Sequence, residues 1–143
     1  MSNIKGIRSD IWYKMKYGQP VDLTCTLSST GAANAQLLGN HIIVNLAAAL
    51  HVNTVTITTP IGFRITDVYS ICEAASAATV IVKNSAGVIT STITMTADTD
   101  VDRVTTIDDA YNTFLRGDDD LVLTIGVAAC TGTIVIEIEP TIA

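Results

Sequence analysis

The sequence lacks long apolar runs and has few charged residues, and both features limit what the chain can be. Hydrophobic residues make up 48% of the 143 residues and charged residues only 15%. No apolar run approaches the roughly 18 residues that a membrane-spanning helix requires. The apolar side chains must therefore form a core, an oligomer interface, or both. A chain of this length suits one domain whose core needs neither disulfides nor metals.

Cysteine is also scarce, and its spacing excludes the common cysteine-based sites. Cys25, Cys72 and Cys130 are odd in number and far apart, without a CxxC pair. We therefore expect neither a zinc site nor a redox motif, and we predict three reduced core residues. The first residues lack the apolar stretch of a signal peptide, so we expect the chain to fold in a reducing cytoplasm.

The sequence contains none of the common motifs for phosphate or zinc chemistry, such as GxGxxG, GxxxxGK[ST] and HExxH. His41 and His51 each lie at the edge of an apolar segment, and no recognisable triad motif is near either. We interpret both as surface histidines. The sequence thus predicts no catalytic residue, no metal site and no cofactor, and a protein that is not an enzyme.

Threonine, isoleucine and valine dominate the chain instead, with 21, 18 and 13 residues. These β-branched side chains are stiff and pack well on a pleated sheet. Alternation of apolar and polar residues predicts strands, which lie at 21–27, 41–46, 52–58, 63–72, 78–83, 88–95, 99–107, 121–127 and 133–138. We place a loop at 28–34, and residues 47–50 form either a helical turn or more strand. Phe63, Ile65, Asp67, Tyr69 and Ile71 should share one side of their strand.

Turn and capping residues complete the predicted fold. Residues 84–87 predict a turn that makes 78–95 a β-hairpin, and Asp108 predicts the start of a short helix that ends at Arg116-Gly117. Together these elements indicate an all-β fold. We predict a single-domain, jelly-roll-like β-sandwich over residues 21–143, with an N-terminal arm over residues 1–20. An immunoglobulin-like sandwich is the alternative.

The arm differs from the body in charge and in aromatic content. Residues 1–16 carry four basic residues against Asp10 and have a net charge of +3, whereas residues 17–143 carry four basic residues against thirteen acidic ones and have a net charge of −9. An acidic body disfavours nucleic acid as a partner. Aromatic and basic side chains together are typical of contact surfaces. The predicted contact residues are Lys5, Arg8, Trp12, Tyr13, Lys14, Lys16 and Tyr17.

An alternative for the same segment is that it packs on its own domain. Ile4, Ile7, Ile11 and Met15 recur at steps of three and four residues, which predicts one apolar face of a short helix. Such a face needs a surface to cover it. The spacing does not decide whether that surface belongs to this chain or to a partner.

Two acidic clusters lie in the second half of the chain. Asp98, Asp100 and Asp102 match the first, third and fifth positions of a calcium-binding loop, but Arg103 stands where that loop needs glycine. We therefore expect these three side chains to share one solvated face of a strand. The second cluster, Asp118–Asp120, predicts an exposed turn. From charge alone, we hypothesise that this turn attracts the basic arm of another subunit.

Four segments of the chain carry a resemblance to a known family. They are FRITDV at 63–68, TVIVKN at 79–84, TIDDA at 106–110 and LVLT at 121–124. In this order the segments resemble small virion proteins of tailed bacteriophages, the capsid decoration (cement) proteins of the β-sandwich type. The resemblance covers roughly residues 52–138.

This resemblance implies a structural role. A decoration protein of this kind would be made in the host cytoplasm and would bind the major capsid protein on the outer capsid surface, as a homotrimer near local three-fold axes. It would stabilise the head, with no catalytic residue, no nucleic acid and no membrane as partner. Two alternatives stay open. One is a tail or fibre component involved in host attachment, and the other is a small carbohydrate-binding module.

Overall fold

Most of the predicted segments form strands in the structure, a computed structural model that describes residues 9–49, 53–73, 77–95, 100–116 and 120–141. One short helix, α1 (Ser9–Lys16), precedes the strands. The strands in the described residues are β1 (Val21–Leu27), β2 (Ala32–Leu38), β3 (His41–Ala49), β4 (Thr54–Thr58), β5 (Gly62–Cys72), β6 (Ala78–Lys83), β7 (Ile93–Met95), β8 (Val101–Arg103), β9 (Thr113–Phe114), β10 (Leu121–Gly126) and β11 (Cys130–Thr141).

Strand β1 belongs to two antiparallel sheets and joins them. Sheet A has the order β1-β2-β3-β11-β5-β8, with β9 also paired to β5, and sheet B has the order β7-β6-β10-β4-β1. The first half of β1, Val21–Leu23, pairs with β2, and its second half, Thr24–Leu27, pairs with β4. The chain therefore turns from one sheet into the other within a single strand.

The far edges of the two sheets also meet, so the fold is nearly closed. A backbone bridge joins Thr90 to Ile107, and the N–H of Asp108 donates to the carbonyl of Ile89 at 2.7 Å. This seam and the shared β1 close the sheets on both sides. The structure confirms the predicted all-β, single-domain sandwich, here with a barrel-like closure.

β-branched and aromatic side chains fill the interior between the sheets. Val44, Val55 and Ile57 are completely buried, and so are the two phenylalanines. The rings of Phe63 and Phe114 stack with centroids 4.6 Å apart and planes 8° from parallel. Alternate positions of the strands supply this core, which explains why composition and alternation predicted the fold class.

A bulge at Thr66 reverses the side-chain alternation of β5. Between Ile65 and Asp67 the register on β11 advances by one residue while β5 advances by two, so Thr66 is the extra residue. Phe63 faces the interior, but every residue after the bulge changes side. The prediction that one face continues along the strand is therefore wrong for the second half. The residues that leave the interior are Asp67, Tyr69 and Ile71.

Strand β2 was not predicted from the sequence, which indicated a loop over residues 28–34. Its sequence, AANAQLL, contains mainly alanine and amide side chains, which have low β propensity. Pairing with β1 on one side and β3 on the other holds it in the sheet. The neighbouring segment Ala47–Ala49 continues β3 and does not form a helical turn.

The helix predicted after Asp108 does not form in the described residues. The Asp108 carboxylate accepts the N–H of Ala110 at 2.9 Å, which produces a single turn. The side chain of Asn112 then donates to the carbonyl of Ile65 at 3.0 Å, and β9 pairs with β5. These contacts with β5 override the local capping signal.

The predicted hairpin around residues 84–87 is confirmed, with β6 and β7 as its antiparallel strands. Asn84 closes the turn, because its side-chain oxygen accepts the N–H groups of Ala86 at 2.7 Å and Gly87 at 2.8 Å. The pairing is interrupted between the turn and β7, where Val88 makes only an isolated bridge with Lys83.

Candidate docking surface

Helix α1 packs against β1 and β2 through one face. Ile11 is only 2% exposed and belongs to the hydrophobic core, and Trp12 and Met15 pack partly against that core. Ile11 and Met15 are four residues apart and so share a helix face, as their spacing predicted. The helix is therefore held in a fixed position on the domain.

A glycine cap ends α1 and sets the path into β1. The N–H of Gln19 donates to the carbonyl of Lys14 at 2.8 Å, and Gly18 has a φ of 68°. This left-handed conformation favours glycine, and the bond pattern is that of a common helix C-cap. Pro20 follows, and β1 begins at the next residue.

Aromatic and basic side chains on the helix form one group, which we call the α1 cluster: Trp12, Tyr13, Lys14, Lys16 and Tyr17. The ring centroids of Tyr13 and Tyr17 are 4.6 Å apart. The Lys16 Nζ atom lies 4.8 Å from the ring centroid of Trp12 and 5.5 Å from that of Tyr17. Tyr13 is 40% exposed and Tyr17 59% exposed. Two further predicted contact residues, Lys5 and Arg8, lie outside the described residues.

The geometry of the α1 cluster suits contact with an acidic protein surface. The rings hold the Lys16 ammonium by cation–π attraction, which contributes about 0.5–1 kcal/mol at an exposed site. Lys14 and Lys16 also lie in the last turn of α1, where the helix dipole favours positive charge. The rings therefore position the Lys16 ammonium before a partner binds, and the helix places Lys14 beside it on the same turn. Exposed tyrosine rings beside them can bury apolar area at low cost in side-chain entropy.

The acidic turn at Asp118–Asp120 is described only at its last residue. Asp120 is exposed and lies directly before β10. Asp118 and Asp119 lie outside the described residues. The hypothesis that this turn attracts the arm of another subunit therefore stays a prediction.

The acidic cluster of Asp98, Asp100 and Asp102 is used partly for the fold. Asp98 lies outside the described residues, and the Asp100 carboxylate accepts the N–H of Val101 at 3.0 Å. The Asp102 carboxylate accepts the N–H of Thr94 at 2.8 Å across the seam between the sheets. The expected solvated face is therefore wrong for Asp102, which is half-buried. Among the described residues, no three His, Cys, Asp or Glu side chains are grouped to hold a metal ion.

The histidine in the described part of the chain lies on the surface, whereas two of the cysteines lie in the core. His41 lies on the outer face of sheet A, with its Nε2 atom 3.5 Å from a carboxylate oxygen of Glu137. Cys72 and Cys130 are buried, and the Cys130 sulfur lies 3.1 Å from the sulfur of Met95. Burial, reinforced by the neighbouring thiol of Cys72, raises the pKa of Cys130 to about 11. A thiol with a raised pKa is a poor nucleophile, because the thiolate is the reactive form.

We expect Cys130 to make stability fall at alkaline pH. Its pKa rises from the usual 9.0 in the unfolded chain to about 11 in the folded one. The folded state therefore keeps the proton that the unfolded state loses, and the contribution to stability disappears as the pH rises from about 9 to about 11. Denaturant titrations of the wild type and of Cys130→Ala at pH 8 and pH 10.5 isolate the contribution of the Cys130 thiol to the free energy of unfolding. The tyrosines and lysines titrate in both proteins, so their contributions cancel in the comparison. An unchanged difference between the two proteins at the two pH values would contradict it.

The outer face of sheet A is a second surface, and the sequence did not indicate it. Because of the bulge at Thr66, Tyr69 faces outward, where the Arg103 guanidinium lies 5.0 Å from its ring centroid and pairs with the Asp67 carboxylate. Farther along β5, Arg64 and Glu139 form an ion pair at 2.7 Å. The outer face of sheet A therefore carries basic and acidic side chains that are joined in ion pairs.

Two shallow grooves are present among the described residues. One, of about 430 Å³, lies at the seam and is lined by residues 88–91 and 106–108. The other, of about 290 Å³, lies on sheet A and is lined by residues 32–34 and 45–47 with Glu73 and Thr131. Each contains a single acidic side chain, Asp108 or Glu73. Neither groove has the paired titratable groups that general acid–base catalysis uses.

Comparison with known proteins identifies no relative of this chain: no family model, no curated protein and no solved structure matches it. In the part of the chain that the structure describes, no helix is long and apolar enough to cross a membrane. The role of the chain has to be inferred from its own surfaces, of which the α1 cluster is the most specific.

Proposed function

We propose that this chain is a structural virion protein, a decoration protein that binds the outer capsid surface of a tailed bacteriophage as a homotrimer and stabilises the head. The observation that carries the proposal is the α1 cluster, in which exposed tyrosines lie beside two lysines at the end of a helix anchored by Ile11. The cluster has the opposite charge to the rest of the chain. The resemblance over residues 52–138 supports the same role.

In this proposal, α1 docks on an acidic surface of the major capsid protein. Tyr13 and Tyr17 bury their rings at the centre of the contact, while Lys14 and Lys16 pair with carboxylates around them. Because α1 is held on the domain before docking, little binding energy is lost in ordering the helix. The acidic body then faces away from the capsid, which suits a protein without nucleic acid or membrane partners.

The nearly closed sandwich supplies the stiffness that a stabilising protein requires. Its edge strands are joined along the seam by the bridge between Thr90 and Ile107 and by the Asp102 carboxylate. Few backbone groups of the sheet edges are therefore left free to pair with other chains. A rigid body of this kind can connect neighbouring capsid subunits without itself deforming.

The alternatives have less support from the described surfaces. A carbohydrate-binding module would place aromatic rings on a sheet face, but Phe63 and Phe114 stack in the core and Tyr69 lies under Arg103. The exposed rings of the described residues are Tyr13 on α1 and Tyr17 directly after it. A fibre component would need a tip that binds a receptor, and no described element projects from the sandwich in that way.

We expect the double variant Tyr13→Ala, Lys16→Glu to bind capsids about 100-fold more weakly than the wild type. Loss of the central Tyr13 ring and reversal of the Lys16 charge should each cost about 1–2 kcal/mol, and a tenfold change in Kd corresponds to 1.4 kcal/mol. The measurement is co-sedimentation of the full-length chain with purified heads that lack it, over a range of protein concentrations. Tyr13 and Lys16 are exposed, so the fold should be unaffected.

The matched control is Arg64→Glu, which gives the same change in net charge on the outer face of sheet A. Its ion pair with Glu139 is largely exposed, so its loss should have little effect on stability. Binding by the control should resemble that of the wild type. Equal weakening of both variants would indicate a general charge effect, and unchanged binding of the double variant would refute docking through α1.

A further inference from the structure

Threonine occupies most of the outward positions on the strands of sheet B. On its five strands the inward positions hold buried aliphatic residues such as Val80, Leu123 and Ile57. The outward positions alternate with these and lie on β1, β4, β6, β7 and β10. Eight are threonines, Thr24, Thr26, Thr54, Thr56, Thr58, Thr79, Thr94 and Thr124, which we call the threonine face.

The strand register places these threonines side by side. Thr24 lies opposite Thr58 and Thr26 opposite Thr56. On the neighbouring strands, Thr124 lies opposite Thr54, and Thr79 lies opposite Thr94. Side chains in such directly opposed pairs are in contact distance of each other. The result is a continuous run of threonine side chains across five strands, with Val122 and Ile81 between them and the Thr124 hydroxyl buried among them.

Charge is nearly absent from the threonine face, although the chain as a whole is acidic. Among the described residues at outward positions of these five strands, the charged ones are Lys83 at the end of β6 and Asp22, which lies in the half of β1 that pairs with β2. The outer face of sheet A, by contrast, carries the ion pairs of Arg64 with Glu139 and Arg103 with Asp67. Depletion of charged residues marks the centres of protein interfaces. The two faces of the sandwich therefore have different surface chemistry.

A second copy of this chain fits the threonine face better than a charged partner does. A neutral surface offers a charged partner no compensation for the desolvation of its charges. Two copies, each with a net charge of −6, repel each other least where charge is absent. A threonine hydroxyl both donates and accepts hydrogen bonds, so threonines of one copy can pair with threonines of the next.

We propose that the threonine face is the surface through which copies of this chain associate with each other. The inference deepens the proposed function and rests on it only for the number of copies. In a homotrimer the three threonine faces would line the three-fold axis, and the α1 cluster would remain free for the capsid. The partner chemistry is thus another uncharged face of threonine and aliphatic side chains.

The test is the mass of the full-length chain in solution, measured by light scattering over a range of concentrations. The variants are Thr26→Arg and Thr58→Glu, both at exposed positions on adjacent strands, and the control is Thr66→Arg on the outer face of sheet A. We expect an oligomeric wild type and control, and at least a tenfold weaker association for both variants. Weakening by charges of either sign would show that an uncharged contact is disrupted.

Three outcomes would overturn the inference: a wild type that stays a monomer of 15.1 kDa at every concentration, variants that associate as the wild type does, or a control that dissociates instead. Circular dichroism verifies that each variant is folded. If one of the two variants is unfolded, the other alone still tests the inference. Capsid co-sedimentation separates this inference from the proposed function. A monomer that binds heads would support capsid docking and refute association through the threonine face. An oligomer that does not bind heads would support that association and refute capsid docking.

Discussion

Phe114→Ala should lower the free energy of unfolding by about 3–5 kcal/mol, the usual cost of removing a buried aromatic side chain. Phe114 is completely buried and stacks on Phe63, with the ring centroids 4.6 Å apart. It also lies directly opposite Phe63 in the pairing of β9 with β5. Because β9 has only two residues, this ring supplies the apolar anchor of β9, beside the hydrogen bonds between Asn112 and Ile65. Denaturant titration with linear extrapolation measures the effect.

Two matched variants make the result for Phe114 interpretable. Phe114→Leu keeps much of the buried volume and should cost less than half as much as the alanine variant, about 1–1.5 kcal/mol. Val88→Ala removes methyl groups from a side chain that is 50% exposed and should change stability by less than about 0.5 kcal/mol. A loss below about 1 kcal/mol for Phe114→Ala would mean that β9 does not hold this connection in the folded state.

Asn53→Ala should destabilise the chain by about 3 kcal/mol, because it removes three hydrogen bonds of a buried amide and each contributes about 1 kcal/mol. Asn53 is completely buried. Its side-chain oxygen accepts the hydroxyl of Ser28 at 3.0 Å and the N–H of Ser29 at 2.9 Å, and its side-chain nitrogen donates to the carbonyl of Thr30 at 3.1 Å. One amide thus holds the whole turn between β1 and β2.

The control for Asn53 is an exposed asparagine of the same type. Asn34 accepts a hydrogen bond from the Asn45 side chain at 3.1 Å on the surface of sheet A. Water can replace that bond, so Asn34→Ala should cost less than about 1 kcal/mol. Thermal or denaturant unfolding distinguishes the two variants. Equal effects at the two sites would show that burial of Asn53 adds nothing to its hydrogen bonds.

The strands could be predicted from the sequence wherever apolar and polar residues alternate and many of them are β-branched. Strand β1 has the predicted bounds because Leu23 and Cys25 alternate with threonine. Strand β2 was missed because alanine and asparagine carry no such signal, and only its neighbours in the sheet hold it. The bulge at Thr66 was also not predictable, since it depends on the register between β5 and β11.

The candidate sites were predictable to different degrees. The residues of the α1 cluster were identified from composition, because aromatic and basic side chains coincide there in an otherwise acidic chain. The role of Asp102 was not, since its partner Thr94 comes from a separate strand across the seam. The helix predicted from Asp108 was wrong for a similar reason. Its capping side chain forms a real turn, but contacts of Asn112 with β5 end it.

The shared strand β1 determines how a mechanical load on α1 would spread through the domain. Four residues, Tyr17 to Pro20, connect the helix to β1, and β1 is bonded to β2 in one sheet and to β4 in the other. A pull on α1 along the strand therefore loads both ladders together, in shear. Hydrogen bonds that are loaded in shear must break at the same time, whereas bonds at a peeling edge break one after another. A force applied to α1 is therefore resisted by the hydrogen bonds of both sheets together.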